Sequence, residues 1–171
     1  MNLWRDCLAG LTMTRSLMPR QHCDPNLYVD ASTSFGVGFT LNDRYAGWRL
    51  TEGWAADGRD IGWAETVVLE LAIYWLLQMN FHDSNITICS DNTAVIDAFT
   101  NGKSRNPARN DCLRRIMASL IPASIMVSPV YVPSCENLAD PVSCGHLNDY
   151  IGRLDCMFEV PPPLLVWLSR I

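Results

Sequence analysis

Apolar positions along the chain fall into short, regularly broken runs. Leu3, Cys7, Leu8 and Leu11 recur at helical spacing and predict a helix over residues 2–17, closed by Met18-Pro19. Arg20 to Asn26 is polar and reads as a link. Three apolar runs follow: Leu27 to Ala31, Phe35 to Leu41 and Tyr45 to Leu50, with Asn42-Asp43 as a turn signal before the third. Runs of this length joined by tight turns predict an antiparallel meander. Gly36 and Gly38 inside the second run imply close backbone approach or a bulge. Trp54 to Gly62 reads as a loop, and Trp63 to Met79, apolar nearly all round, as a buried helix.

The second half alternates. Ile86 to Ser90 predicts a fourth strand, Ala94 to Phe99 a short helix stopped by Asn101-Gly102, and Asn106 to Leu120 a longer helix with Pro107 in its first turn. Ser124 to Val132 predicts a fifth strand, Pro133 to Glu136 a loop, and Leu138 to Cys144 a short helix. Pro161-Pro162-Pro163 argues against helix near the end. Strand–helix–strand crossovers demand parallel pairing. The expected fold is therefore α/β: a mixed five-stranded sheet, strands 1–3 antiparallel and strands 1, 4 and 5 parallel, flanked by helices. Residues 1–25 would be a leading helix and linker, 26–150 the domain, and 151–171 a C-terminal tail.

Composition narrows the classes. Of 171 residues, 49% are hydrophobic and 18% charged, enough apolar surface for one packed core and not the profile of a disordered chain. The longest apolar run, Thr66 to Met79, is about 14 residues with Glu70 inside it, too short and too charged to span a bilayer. No apolar segment follows the charged start Met1 to Asp6, so neither a secretory leader nor a membrane partner is expected. Seven cysteines with no C-x-x-C pair fit reduced thiols in the cytoplasm or nucleus rather than disulfides or structural zinc. Thirteen basic against 18 acidic residues, net −5, argue against sequence-blind nucleic-acid coating, but leave room for an enzyme that holds cations with acids.

Four acids stand out. Asp30 lies inside the first strand, where a carboxylate is costly to bury unless it is paired or holds a cation. Asp91 ends the fourth strand; if strands one and four are neighbours, both acids approach the crevice where open α/β sheets bind ligands. Glu65 lies in the first turn of the long helix and Asp140 opens the last one. Four carboxylates meeting at one point repel one another without a counter-charge. Two Mg²⁺ ions, roughly 3.5–4 Å apart, would neutralise them and stabilise a phosphodiester displacement, with Mn²⁺ as a substitute.

The segments Tyr28-Val29-Asp30-Ala31-Ser32, Ile61-Gly62-Trp63-Ala64-Glu65, Ser90-Asp91-Asn92 and Asn137-Leu138-Ala139-Asp140 resemble, in order, the four motifs of ribonuclease H. The pattern is most similar to the ribonuclease H domain behind the reverse transcriptase of retroelements, DIRS-like elements of fungi especially. Trp4-Arg5 and Leu17-Met18-Pro19 resemble the connector to the polymerase. The resemblance implies Asp30, Glu65, Asp91 and Asp140 as metal ligands and catalytic acids, an RNA–DNA hybrid as substrate, and the polymerase domain of the same polyprotein as partner. The reaction implied is cleavage of the RNA strand to 3′-hydroxyl and 5′-phosphate ends. Glu70 competes with Glu65 for the second position: five residues apart, they lie about 140° apart round a helix, so one at most faces the site. The chain departs from the family in the loop Pro133-Ser134-Cys135-Glu136, which lacks the histidine many members carry before the last acid, and at Cys144, where the family has arginine.

For substrate handling, five of the 13 basic residues lie between positions 103 and 115: Lys103, Arg105, Arg109, Arg114 and Arg115. They read either as a solvated helix face or as a phosphate-contacting patch. Ser32, Asn92 and Asn110 are candidates for bonds to ribose hydroxyls or phosphates. Trp48, Trp54, Trp63 and Trp75 read as packing rather than base-stacking groups. Two rivals remain: an integrase-type enzyme using Asp30, Asp91 and Glu136, and a catalytically inactive domain of the same fold serving as a binding or tethering module.

Overall fold

The computed structural model of the protein describes residues 20–148 and 150–171. The helix expected over 2–17 and its connector role lie outside the described residues. The meander forms as expected: β2 (Leu27–Ala31), β3 (Gly36–Leu41) and β4 (Arg44–Leu50) pair antiparallel, with Asn42 at φ 51° in the turn. Parallel to β2 runs β5 (Ser84–Ser90), and parallel to β5 runs β6 (Met126–Tyr131). The long strands lie in the order β6-β5-β2-β3-β4.

Three helices connect them. The first, α1 (Ile61–Gln78), carries the apolar run between β4 and β5; α2 (Thr93–Asn101) and α3 (Pro107–Ala123) lie between β5 and β6. The apolar run makes a helix because it is long and bounded by signals. Asp60 caps its start, accepting from Trp63 N–H at 2.8 Å. Gly102, at φ 65°, ends α2 as the Asn101-Gly102 signal predicts. The core forms where α1 crosses the sheet: Val29, Val37, Phe39 and Trp48 meet Val67, Leu71 and Trp75, and Phe39 contacts both indoles at 6.0 and 6.2 Å. All four tryptophans read as packing groups are buried.

Two expectations change. Arg20 to Asn26 is not merely a link: Gln21–Cys23 forms β1, parallel to β5 from Ser84 to Ile86. Strands β1 and β2 lie end to end along one side of β5, interrupted where Pro25 lacks an N–H and Asn26 turns at φ 59°. A polar strand held by backbone bonds leaves no apolar period to read. Second, Pro162–Leu165 is a one-turn helix, α5. Prolines fit there because first-turn N–H groups have no intrahelical acceptor.

Residues 151–171 close the outer edge of the sheet. Short strands β7 (Gly152–Arg153) and β8 (Leu168–Arg170) both pair with β4, and Leu154, Cys156, Leu164 and Leu168 join the core. At the opposite edge, Val132 N–H bonds back to Ser90 O. Alternation along β6 then points the Pro129 nitrogen outward, where it offers no donor to another strand.

One close approach positions the site. A short helix, α4 (Asp140–Ser143), lies on β2, β3 and β4. A Cβ on Gly38 would stand 2.3 Å from Val142 Cγ1, and one on Gly47 3.1 Å from the same atom. The glycine-bearing second strand is thus the floor on which the Asp140 segment sits. Among the described residues no helix is long and apolar enough to cross a membrane, and the six described cysteines are free thiols.

Candidate active site

Each acid reaches the site through a different element. Asp30 projects from β2, one residue before its end. Asp91 follows the last residue of neighbouring β5, so parallel pairing brings the two together. Glu65 stands on the second turn of α1, whose capped N-terminus rises over the same strand ends. Asp30, Glu65 and Asp91 each offer a carboxylate oxygen within 4.8 Å of the others. Asp140, the first residue of α4, is exposed and lines the same cleft of about 280 Å³, with Ala31, Ser32, Thr33, Ile61, Ser143 and Cys144.

Electrostatics mark the cluster as short of positive charge. Burial pushes Asp30 up to about 7, and the Asp91 and Asp140 charges add to this while the Ser143 hydroxyl opposes it. Burial, then Asp30 and Asp91, push Glu65 well above the usual carboxylate range, against one Ala31 N–H. Glu65 Oε2 is buried and has no hydrogen-bond partner among the described residues. Hard oxygen donors, crowded together, with one buried lone oxygen, match the needs of Mg²⁺ or Mn²⁺.

Packing sends Glu65 and Glu70 to different surroundings, and Glu65 is the one that lines the cleft. Glu70 is fully buried on another side of α1, where Arg115 Nε and Nη2 donate to its two oxygens at 2.6 and 2.8 Å and Tyr74 O–H donates at 2.7 Å. Glu136, the third acid of the integrase-type rival, lies exposed on the turn Ser134–Glu136 and is not in the cluster.

The basic run divides. Arg109 grips Asp60 with two 3.0 Å bonds from Nη2, Arg114 pairs with Asp111, and Arg115 is spent on Glu70. Asn110 holds the Ser104 backbone through both ends of its amide, and Asn92 caps α2 by accepting from Val95 N–H at 3.2 Å. Lys103 and Arg105 are exposed, and their side chains make no hydrogen bond or ion pair among the described residues. Asn106 ties their loop to the start of α1, donating to Gly58 O at 2.6 Å. Ser32 lines the cleft, with its hydroxyl 2.8 Å from that of Ser34.

Three residues to which sequence reasoning gave no role, although it placed them in the family-like run around Asp140, serve the acids directly. Ser143 O–H donates to Asp30 Oδ2, Ser134 O–H to Asp91 Oδ2, and the Asn137 amide to both acids. The readable signal was local: polar residues at −6, −3 and +3 around Asp140, in a stretch otherwise short of reasons to bury them.

No protein-family model matches the sequence, and a search of curated proteins finds no match. Solved structures do match. The crystal structure of RNase H1 from the halophilic archaeon Halobacterium salinarum NRC-1 aligns with TM-score 0.57 at 20% identity, covering 75% of this chain and 98% of that one. LC11-RNase H1 in complex with an RNA/DNA hybrid aligns with TM-score 0.59 at 14% identity, covering 71% and 95%. The chain therefore has the ribonuclease H fold, with helices on a mixed sheet.

Proposed function

We propose that this protein is a divalent-metal-dependent endonuclease that cuts the RNA strand of RNA–DNA hybrids. The observation that carries the reading is the meeting of Asp30, Glu65 and Asp91 at the strand ends, with Asp140 on the lip and a lone buried oxygen on Glu65. Asp30, Glu65, Asp91 and Asp140 would hold the ions. Bound there, two Mg²⁺ or Mn²⁺ ions would supply Lewis-acid stabilisation and an activated water. Water would add at phosphorus as the bond to the 3′ oxygen breaks, with the proton that the water loses balanced by the one that the 3′ oxygen takes up, giving 3′-hydroxyl and 5′-phosphate ends. The fold neighbour described with an RNA/DNA hybrid supports this substrate class.

Ser32, which lines the cleft, would meet a ribose hydroxyl, the group that separates RNA from DNA. Lys103 and Arg105 are the two cations of the 103–115 run whose side chains stay free, among the described residues, to meet phosphates, on a loop tied to the start of α1. Asn92, Arg109 and Asn110 border this path and hold its scaffold. With net charge −5 and two free cations there, the chain would grip a hybrid weakly alone. This supports a setting in which a polymerase domain of the same polyprotein holds the substrate, as the resemblance to DIRS-like retroelement domains implies. The residues ahead of β1 would then be the connector. Free thiols throughout the described residues support a reducing compartment.

The test is incubation with labelled hybrid in Mg²⁺ or Mn²⁺ at low salt, beside Asp91→Asn. The expected result is RNA-strand cutting by the parent and none by the variant. Equal cutting by both would refute the site. Metal binding without cutting would favour a tethering module, and action on duplex DNA ends an integrase-type enzyme.

A further inference from the structure

Among the described residues, the side-chain hydroxyl and amide donors to the paired acids come from one stretch, residues 134–143. Ser134 and Ser143 each take one oxygen, Asp91 Oδ2 and Asp30 Oδ2. Asn137 takes the other two: its Nδ2 lies 3.2 Å from Asp30 Oδ1 and 3.2 Å from Asp91 Oδ1, and 3.1 Å from the Val29 carbonyl. The far end of the same amide, Oδ1, accepts from Ala139 N–H at 3.1 Å, which settles which end faces the acids. Asn137 is only 4% exposed, so this arrangement is enclosed by the fold.

The pattern is selective. All four oxygens of Asp30 and Asp91 carry one neutral donor each, while Glu65 Oε2 carries none. A carboxylate oxygen has room for about two partners, so one donor steadies it and leaves a lone pair for a cation. A lysine or arginine in the same place would steady the acids too, but its charge would compete with the metal. Neutral donors avoid that competition. Partners that orient metal ligands typically change affinity by about 10–100-fold when removed.

We infer that Asn137 is a positioning residue: its amide bridges Asp30 and Asp91 and sets their separation for a divalent cation before the cation arrives, with Ser134 and Ser143 steadying the outer oxygens. This rests on the metal-dependent reading above, yet it concerns metal affinity rather than cleavage.

Mn²⁺ binding by titration calorimetry, with thermal unfolding in EDTA as a fold control, tests it on the full chain. Asn137→Ser keeps an oxygen that can accept from Ala139 N–H but cannot reach the acids. It should bind Mn²⁺ about 10–100-fold more weakly, while hybrid binding in EDTA is unchanged and cleavage recovers at higher Mn²⁺. Ser134→Ala, at an exposed position, should weaken Mn²⁺ by a smaller factor and decides the matter if Asn137→Ser does not fold. Parent-like Mn²⁺ affinity in a folded Asn137→Ser, or in Ser134→Ala should that be the deciding variant, overturns the positioning role and leaves the nuclease reading intact. Absence of Mn²⁺ binding by the parent sinks both.

Discussion

Asp30→Asn should make the metal-free protein more stable at neutral pH, although it removes a catalytic acid. With its proton held up to about pH 7 in the fold, against an ordinary value of 3.8, Asp30 binds a proton that the unfolded chain has lost over the intervening range. Stability is then fully present below about pH 4, falls as pH rises, and levels off above about 7. At about 1.4 kcal/mol per pH unit, the total is roughly 4 kcal/mol. Asparagine carries no charge and should remove this slope, leaving what Glu65 contributes, since that group is raised as well. The substitution has its own cost: an asparagine amide facing the Asn137 amide loses an acceptor, worth about 1–2 kcal/mol. The expected net gain at pH 8 is about 2–3 kcal/mol, or about 1 M in urea midpoint for a slope near 2 kcal/mol per molar. Urea unfolding in EDTA from pH 4 to 8 measures it. Added Mg²⁺ at pH 8 should raise the parent's midpoint and leave the variant's nearly unmoved. A parent midpoint flat across this range, or an equal slope in the variant, would refute the claim that burial, with the neighbouring acids, holds the Asp30 carboxyl above its ordinary range.

Other outcomes follow from the same packing. Arg115→Met leaves Glu70 buried without its partner and should cost about 3 kcal/mol, while Glu70→Leu with Arg115→Met recovers most of it; chemical denaturation reads both. Gly38→Ala drives a methyl into Val142 and should cost about 1–3 kcal/mol, with a loss of kcat because Asp140 shifts with α4. Lys103→Ala with Arg105→Ala should raise KM for hybrid and leave kcat alone. It should also flatten the salt dependence of binding by about 1 for each phosphate no longer neutralised, measured by filter binding across salt.

The local order of elements was written in the sequence. Strand periods from Leu27 to Leu50, the apolar length of α1 and the Asn101-Gly102 stop are short-range signals, and each of these elements formed within a few residues of its expected place. So was the shortlist of acids, because a carboxylate within Leu-Tyr-Val-Asp-Ala has few inexpensive explanations. Tertiary structure decided what short-range signals cannot encode. Glu65 and Glu70 sit on one helix, and the sequence favoured Glu65 without excluding Glu70; the docking of α3, which brings Arg115 to Glu70, ties one to the scaffold and leaves the other at the cleft. The basic run from 103 to 115 looked continuous in sequence, yet packing against Asp60 and Glu70 took up Arg109 and Arg115, while helix spacing paired Arg114 with Asp111. The role of Asn137 arises because its loop crosses two strand ends more than 40 positions away, and pairings of that sequence separation exist only once the sheet has closed.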